Sequence, residues 1–196
     1  MTPAPLVILD EIDSTNAEAR RLAEAGEAGP RWIVARRQTA GRGRRGRKWE
    51  TEQGNLAATL LITTPKSAAE AAQATFVAAL AVADLLDVFV SPALVSIKWP
   101  NDVLLDGVKV SGILVESGSH ANGDLWLAVG IGVNLAHAPD NTERGATAVA
   151  ERLRADRPSL PRSRPPPRSW PRPSPSGGAA GRPWASSLCW TPGPAA

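Results

Sequence analysis

The chain has 196 residues, and its 22 lysines and arginines against 19 aspartates and glutamates give a formal net charge of +3. This length suits one domain, or one domain with a small appendage. The single cysteine, Cys189, excludes a disulfide framework and a cysteine-based metal site. The N-terminus lacks the features of a signal peptide, and no apolar stretch is expected to approach the about 20 residues of a membrane span. We therefore expect a soluble cytoplasmic protein that binds no membrane.

The predicted elements in chain order are short strands and two capped helices. Capping boxes that begin at Thr15 and Ser67 predict helices that run to residue 25 and to about residue 86. Asn122-Gly123 predicts a hairpin between the last two strands. Apolar runs bounded by turn residues predict strands at residues 6–12, 32–37, 56–63, 95–98, 108–116 and 125–133. We expect an α+β fold in which helices pack against one face of a mixed, mostly antiparallel sheet.

The composition changes abruptly after residue 153, which predicts a domain at 1–153 and a low-complexity tail at 154–196. The tail contains 11 of the 18 prolines, with seven arginines and one aspartate, so residues 1–153 carry a net charge of −3. Proline at this density blocks helices and sheet ladders and predicts extended or disordered chain. Because this composition is typical of GC-rich DNA read out of frame, we interpret the tail as a frameshifted replacement of the natural continuation. A proline-rich interaction tail is the alternative.

A basic, glycine-rich loop at residues 36–48 is the most informative segment. It holds seven basic residues, three glycines and no acidic residue. Glycine lets backbone N–H groups approach a ligand, and arginine presents a planar fork suited to phosphate or carboxylate. The loop therefore predicts an anion site or a nucleic-acid arm, with a solvated charged loop as the plainer alternative. The mildly acidic domain around it favours a local anion site.

Residues 41–46 also satisfy the G-x-G-x-x-G pattern of dinucleotide-binding folds. That pattern requires a helix directly after it and an acidic residue about 20 positions later. Residues 48–55 have no helical period, and Lys66 stands where the acidic residue is expected. We reject the dinucleotide interpretation.

Three further segments carry more polar side chains than a plain fold requires. Residues 13–16 read Asp-Ser-Thr-Asn, for which helix capping is the simpler explanation. Residues 98–102 read Lys-Trp-Pro-Asn-Asp, which also fits a rigid turn. Lys109 follows between two valines, where a solvent-exposed lysine is the commoner outcome. Residues 130–134 read Gly-Ile-Gly-Val-Asn, and alternating glycines in a strand indicate close approach of a ligand or another backbone.

In this order the segments resemble the catalytic domain of biotin–protein ligases over about residues 7–150. The matching motifs are Ser-Thr-Asn, Gln-Thr-Ala-Gly-Arg-Gly-Arg-Arg-Gly-Arg-x-Trp, Lys-Trp-Pro-Asn-Asp, Lys-x-x-Gly-Ile-Leu-x-Glu and Gly-x-Gly-x-Asn. The resemblance implies a fold like that of class II aminoacyl-tRNA synthetases and biotin ligases. It also implies an enzyme that uses ATP and Mg²⁺ to convert biotin into biotinyl-5′-AMP. Biotin would then pass to a lysine of the biotin carboxyl carrier domain of acetyl-CoA or related carboxylases.

The resemblance also implies roles for individual residues, while the metal ligands stay unknown. The implied catalytic residues are Arg44, Lys109 and Asp102. The biotin head group would be bound by Ser14, Thr15, Asn16 and Gln38. The loop that folds over biotin and the adenylate would be formed by Gly41, Arg42, Gly43 and Arg44. The other implied ligand-binding residues are Trp49, Asn101, Lys109, Gly112, Gly132 and Asn134.

The chain departs from the family pattern at both ends. No helix-turn-helix domain precedes residue 7, so the chain resembles the ligase-only branch, and no DNA binding is predicted. The small β-barrel-like C-terminal domain of the family is replaced by the tail. Two other functions stay open: a lipoate or octanoate ligase or transferase of the same general fold, and a non-enzymatic nucleic-acid-binding protein. Formation of a homodimer is also left open.

Overall fold

A seven-stranded sheet organises residues 3–140 and 145–153, the part of the chain that this computed structural model describes. The predicted tail at 154–196 lies outside the described residues. The strands are β1 (Leu6–Ile12), β2 (Arg31–Gln38), β3 (Leu56–Thr64), β4 (Val95–Lys98), β5 (Asp102–Leu105), β6 (Val108–Ser119) and β7 (Leu125–Val133). The helices are α1 (Thr15–Glu24), α2 (Ala68–Ala71) and α3 (Ala74–Leu86), and short 3₁₀ turns lie at Arg44–Gly46, Pro92–Leu94 and Val149–Arg152.

The sheet is mixed and mostly antiparallel, as predicted. The strands lie in the order β1-β2-β3-β7-β6-β5-β4. β1 and β2 are parallel, and every other neighbouring pair is antiparallel. β7 lies at the centre and pairs along its whole length with β3, from Leu125 to Val133.

α1 and α3 cover opposite faces of the sheet. In β7, Trp126 and Ala128 pack in one core cluster with Ala19 of α1, whereas Leu127 and Val129 pack in a second cluster with residues of α3. Successive side chains of a strand point to opposite faces. The expectation that the helices pack against one face is therefore wrong. The continuous apolar run of β7 is typical of a strand that is buried on both faces.

Ser14, and not Thr15, caps α1. Its side chain accepts a hydrogen bond from the backbone N–H of Ala17 at 3.4 Å. The predicted capping box of Thr15 and Glu18 is wrong, because Glu18 pairs with Arg21 on the helix surface. The backbone N–H of Thr15 instead donates to a side chain of β2. At Thr15, a hydrogen bond to a residue distant in the sequence therefore replaces the expected bond to Glu18.

The second predicted capping box is confirmed. The side chains of Ser67 and Glu70 each accept a hydrogen bond from the other residue's backbone N–H. Ser67 donates hydrogen bonds to the Glu70 carboxylate from its hydroxyl and from its backbone N–H. These bonds, the hydroxyl's more than the backbone's, hold the pKa of Glu70 below its ordinary value. The helix that follows is divided into α2 and α3, although Ala72 between them keeps right-handed helical angles.

The segment Ala68–Leu86 is 19 residues long and has a mean hydropathy of 1.4, which by length and composition is enough to cross a membrane. The expectation that no apolar stretch approaches this length is therefore wrong. The core helix of a globular domain passes the same test. In α3 the residues that pack into the core beside the sheet are Ala78, Ala79, Val82 and Leu86.

The sequence pattern does not predict β5, and it ends β6 too early. β5 has only four residues and begins at Asp102, and aspartate is a residue type that is common in turns. It becomes a strand because β4 and β6 pair with it on either side. β6 continues to Ser119 because its polar end pairs with β7, where Ser119 lies opposite Leu125. The hairpin predicted at Asn122-Gly123 is confirmed, and Gly123 takes the positive φ of 89° that such a turn requires.

Leu61 and Leu6 allow a direct test of where the core lies. Leu61 in β3 is fully buried, whereas Leu6 in β1 is 39% exposed. We expect Leu61→Ala to lower the free energy of unfolding by about 3 kcal/mol, because it leaves a cavity between sheet and helix. Leu6→Ala removes the same atoms and should cost less than about 1 kcal/mol. Urea denaturation measures both, and equal losses would contradict this core.

Candidate active site

Three glycines form the floor of a cleft on the α1 face of the sheet. Gly112 of β6 pairs with Gly132 of β7, and Gly130 lies two residues further along β7. A methyl group added to Gly130 would overlap the side-chain amide of Asn16, and one added to Gly132 would overlap the indole of Trp49. The alternating glycines therefore allow other side chains to approach the sheet, as the sequence pattern indicated.

The N-terminus of α1 closes one end of this cleft. Ser14, Thr15 and Asn16 are each at most 6% exposed. Gln38, the last residue of β2, accepts a hydrogen bond through Oε1 from the backbone N–H of Thr15 at 2.8 Å. Its Nε2 donates to Thr51 Oγ1 at 3.0 Å. The structure thus brings together the four residues implied to bind a head group, and their binding role stays a prediction.

A second set of polar contacts links Asn16 to the middle of the sheet. Asn16 Nδ2 donates to the carbonyl of Leu114 at 3.2 Å and to Glu116 Oε2 at 2.7 Å, and its Oδ1 accepts from Thr59 Oγ1 at 2.7 Å. Thr59 is fully buried, and its hydroxyl lies 2.8 Å from that of Thr15. Sequence reasoning missed both Thr59 and Glu116. The available signal was a threonine inside the otherwise apolar middle of β3.

Lys109 lies at the other end of the floor. Its Nζ is 2.7 Å from Asp102 Oδ1, and the two side chains are 33% and 23% exposed. Lys109 is therefore a half-buried, paired cation, and the alternative of an unpartnered surface lysine does not hold. The structure brings it together with Asp102, and the implied catalytic roles of both residues stay predictions.

A β-bulge turns Lys109 toward the cleft. Val103 of β5 pairs with Ser111 of β6, but the next residue, Leu104, pairs with Lys109, so Val110 is an extra residue in β6. Ile113 and Val110 both belong to the core on the α3 face. Regular alternation from Ile113 would direct position 109 into that core. The extra residue reverses the alternation and places the Lys109 ammonium beside Gly112.

The basic loop between β2 and β3 is folded back on itself. Arg42 pairs with Lys48 in an antiparallel bridge, and the backbone N–H of Gly43 donates to the carbonyl of Arg47 at 2.8 Å. The structure places residues 36–38 in β2, and the four arginine side chains that follow in the loop, at positions 42, 44, 45 and 47, are exposed. Among the described residues, no ion pair engages Arg42 or Arg47. These cations are available to an anion that enters the cleft.

Arg44 connects the loop to the edge of the sheet. Its Nη1 donates to Asn101 Oδ1 at 3.2 Å. Asn101 Nδ2 in turn donates to the carbonyl of Ile113 at 3.0 Å, and the Ile113 N–H donates to the Asn101 carbonyl at 2.9 Å. The loop, the Lys-Trp-Pro-Asn-Asp segment and β6 are thus joined through one asparagine.

Trp49 packs directly against the glycine floor. Its indole lies over Gly132 and Gly112, and Lys109 Nζ is 5.5 Å from the ring centroid, within the range of a cation–π contact. The backbone N–H of Trp49 donates to the carbonyl of Gly41 at 2.9 Å. A side chain at Gly41 would overlap the Trp49 carbonyl, so this close approach requires glycine.

Asn134 directly follows β7, two residues beyond Gly132, and its backbone N–H donates to the carbonyl of Val110 at 2.9 Å. It is 2% exposed, and its Nδ2 donates to the carbonyl of Thr147 at 3.2 Å. This bond ties the end of β7 to the segment around residue 147. The implied role of Asn134 in ligand binding stays a prediction.

The protein residues of the cleft do not by themselves fit a metal ion. Within residues 3–140 and 145–153, no group of three histidine, cysteine, aspartate or glutamate side chains is arranged to hold one. Asp102, the carboxylate nearest to the cationic end, is already paired with Lys109. Mg²⁺ commonly keeps several waters and binds through substrate phosphates with one or two carboxylates. We therefore derive no step through a protein-held metal.

The mixed sheet, with its basic loop and its buried Ser14-Thr15-Asn16 helix terminus, defines the class of α+β ligase-like domains. The chain belongs to the biotin/lipoate A/B protein ligase family, whose model matches residues 9–134.

Individual relatives agree with this assignment. A biotin–[acetyl-CoA-carboxylase] ligase of Paracoccus denitrificans is 54% identical over 143 residues, which are 71% of this chain and 59% of that protein. The biotin protein ligase of Leishmania major in complex with biotin superposes with a TM-score of 0.66 at 29% identity, over 76% of this chain and 64% of that one. The Aquifex aeolicus ligase in complex with biotin and ATP gives 0.59 at 36% identity, over 75% and 60%. The chain thus spans less than two thirds of the length of each relative.

Asp13 and Arg21 clamp the start of α1 outside the cleft. Arg21 Nη1 and Nη2 donate to the two carboxylate oxygens of Asp13 at 2.9 and 2.8 Å. The hydrogen bonds from Arg21 lower the pKa of Asp13 to about 2. The Asp13 carboxylate also accepts from the backbone N–H of Ser14 at 2.7 Å, so the clamp sits directly before the buried cap of the helix.

This clamp predicts a pH-dependent contribution to stability. Because the folded-state pKa of Asp13 lies below its ordinary value of 3.8, the contribution is present above about pH 3.8 and is lost as the pH falls toward 2. Asp13→Asn should lower the free energy of unfolding at pH 7 by less than about 1 kcal/mol, since solvent screens the exposed pair. Urea denaturation should show this difference shrinking between about pH 4 and pH 2. Glu24→Gln, which loosens only a surface pair, is the control and should change little at any pH.

Proposed function

We propose that this chain activates biotin with ATP to form biotinyl-5′-AMP and then transfers biotin to a lysine of a carrier domain. The observation that supports this proposal most directly is the arrangement of the glycine floor. It bears neutral hydrogen-bonding groups at one end and a paired lysine at the other. Asn16 lies over Gly130, and Trp49 and Lys109 lie at Gly132 and Gly112. Two residues along a strand span about 7 Å. A short aliphatic acid chain can bridge that distance, with its head group at α1 and its carboxylate at Lys109.

The first chemical step joins two anions. The biotin carboxylate attacks the α-phosphorus of ATP, a carbon–oxygen–phosphorus linkage forms, and the bond to pyrophosphate breaks. Cations must neutralise the charge that develops on the phosphoryl oxygens. Lys109 supplies one from the floor, and Arg42 and Arg44 supply others from the loop. Mg²⁺ would enter with the phosphates of ATP.

The second step transfers the acyl group. The amine of the acceptor lysine attacks the carbonyl carbon of the mixed anhydride, the nitrogen loses a proton to solvent as the amide forms, and AMP leaves with the bonding electron pair. Water competes with the lysine, so the adenylate must stay covered until the carrier arrives. The basic loop and Trp49 are positioned as that cover. Asp102 is suited to orient Lys109 through their ion pair.

The polar end of the cleft favours biotin over lipoate or octanoate. The dithiolane ring and the alkyl chain carry no hydrogen-bond donor, so they could not use the remaining acceptor capacity of the Thr15 and Gln38 side-chain oxygens. The ureido group of biotin offers both donors and an acceptor. The nucleic-acid-binding alternative has less support, because the exposed arginines that the structure describes outside this loop are each paired with a carboxylate, as for Arg20, Arg21, Arg37 and Arg152.

The remaining assignments extend the same proposal. The acceptor is the biotin carboxyl carrier domain of acetyl-CoA or a related carboxylase, in keeping with the relative from Paracoccus denitrificans. ATP and such carriers meet in the cytoplasm, which we propose as the location. We propose no DNA partner, and a homodimer stays an open possibility. We keep the boundary of the catalytic domain at residue 153, with the tail as a frameshifted replacement.

Biotin-dependent exchange of labelled pyrophosphate into ATP tests the first step. We expect exchange by this chain, or by a version with the reading frame restored after residue 153. Lys109→Met should reduce the rate about 100-fold or more, because it removes a cation from the transition state. Lys66→Met, a surface control, should leave the rate unchanged. No exchange by either wild-type version would remove the ligase proposal.

Arg44→Gly tests whether the basic loop covers the adenylate. We expect this variant to release biotinyl-5′-AMP, because the bond from Arg44 to Asn101 that holds the loop against the sheet is lost. Biotinylation of an added bystander protein, measured by avidin blot, should rise well above that of the wild type. Arg45→Gly is the matched control, since Arg45 has a φ of 59° that glycine accepts readily. Retention of the adenylate by Arg44→Gly would contradict this role.

A further inference from the structure

The buried hydroxyl groups beside Asn16 have too few protons for every contact to be a hydrogen bond. Thr59 Oγ1 lies 2.7 Å from Asn16 Oδ1 and 2.8 Å from Thr15 Oγ1, and Thr15 Oγ1 also lies 3.1 Å from Gln38 Oε1. Each hydroxyl carries a single proton. The orientation of the Asn16 amide decides where these protons go.

Two acceptors determine the orientation of that amide. The Leu114 carbonyl and the Glu116 carboxylate can only accept, and both contact the same end of Asn16, at 3.2 and 2.7 Å. That end must be the NH₂ group. The opposite end is then the carbonyl oxygen, which can only accept, so Thr59 must give it its proton. Thr59 has no second proton for Thr15, and Thr15 must therefore donate to Thr59.

The distances support this order. The Thr15–Thr59 separation of 2.8 Å is the usual length of a hydroxyl hydrogen bond, whereas the Thr15–Gln38 separation of 3.1 Å lies beyond the usual range. With its proton committed to Thr59, Thr15 Oγ1 has only lone pairs left. Gln38 Oε1 is also an acceptor and lies next to it. Gln38 Oε1 already accepts from the backbone N–H of Thr15, and the lone pairs that remain on the two oxygens are suited to N–H donors of a ligand.

We propose that Glu116 is a positioning residue that, through Asn16 and Thr59, directs the Thr15 proton away from the cleft. This inference rests on the proposed function and deepens it. It identifies the preferred head group as one with N–H donors, such as a cyclic urea. Glu116 reaches the ligand only through the side chains of Asn16, Thr59 and Thr15.

A double-mutant cycle on the full chain tests the proposal, with biotin titrated by calorimetry. Glu116→Leu, which cannot accept a hydrogen bond, should weaken biotin binding about tenfold, as for one misdirected buried hydrogen bond. Glu116→Gln keeps an acceptor oxygen and should bind within about threefold of the wild type. In a Thr15→Val background, Glu116→Leu should have less than about a twofold further effect, because no hydroxyl proton is left to direct.

A purely structural role gives a different result. Equal losses from Glu116→Leu in both backgrounds, or no loss in the wild-type background, would overturn the proposal. If Glu116→Leu does not fold, Thr59→Val breaks the same chain with a side chain of the same shape, and the same non-additivity with Thr15→Val is expected. A wild-type chain that binds no biotin overturns the proposed function and this inference together. Biotin binding with additive variants overturns this inference alone.

Discussion

The burial of the Asn16 amide against Gly130 is the constraint on which the cleft depends. A primary amide inside a protein must have partners at both ends, or its burial costs more than the surrounding packing supplies. Here Leu114, Glu116 and Thr59 satisfy it, and the missing side chain of Gly130 gives it room. These contacts join the start of α1 to three neighbouring central strands. The helix terminus and the floor of the cleft are therefore a single unit.

The cationic end of the cleft is formed in a different way. One extra residue in β6 reverses the alternation of side chains and moves Lys109 out of the core and onto the cleft face. Asp102 and the ring of Trp49 then stabilise its charge. A neutral end made of amides and hydroxyls and a charged end made of one ion pair share the same glycine floor. This polarity along the floor matches an acid with a neutral head group.

Residue patterns predicted what depends on local chemistry. Six strands, the capping box at Ser67 and the hairpin at Asn122 follow from periodicity and turn residues, and each is present. The cap at Thr15 was wrong because Gln38, 23 positions away, takes its backbone N–H. The placement of both helices on one face was wrong because an apolar run does not reveal which helix covers which side. β5 is formed by its neighbours and has no signal of its own.

The sequence by itself determined the residue types of the site: the basic glycine loop, the Ser-Thr-Asn segment, the paired Asn-Asp, and the lysine with the alternating glycines. Together these motifs resemble those of biotin–protein ligases, and that resemblance implied an acyl-adenylate. Only the tertiary structure decided that Thr59 and Glu116 complete the neutral end and that a bulge aims Lys109. The neutral end depends on contacts between residues about 40 to 100 positions apart, and the direction of Lys109 depends on the register of β5 and β6. Local sequence patterns encode neither of these.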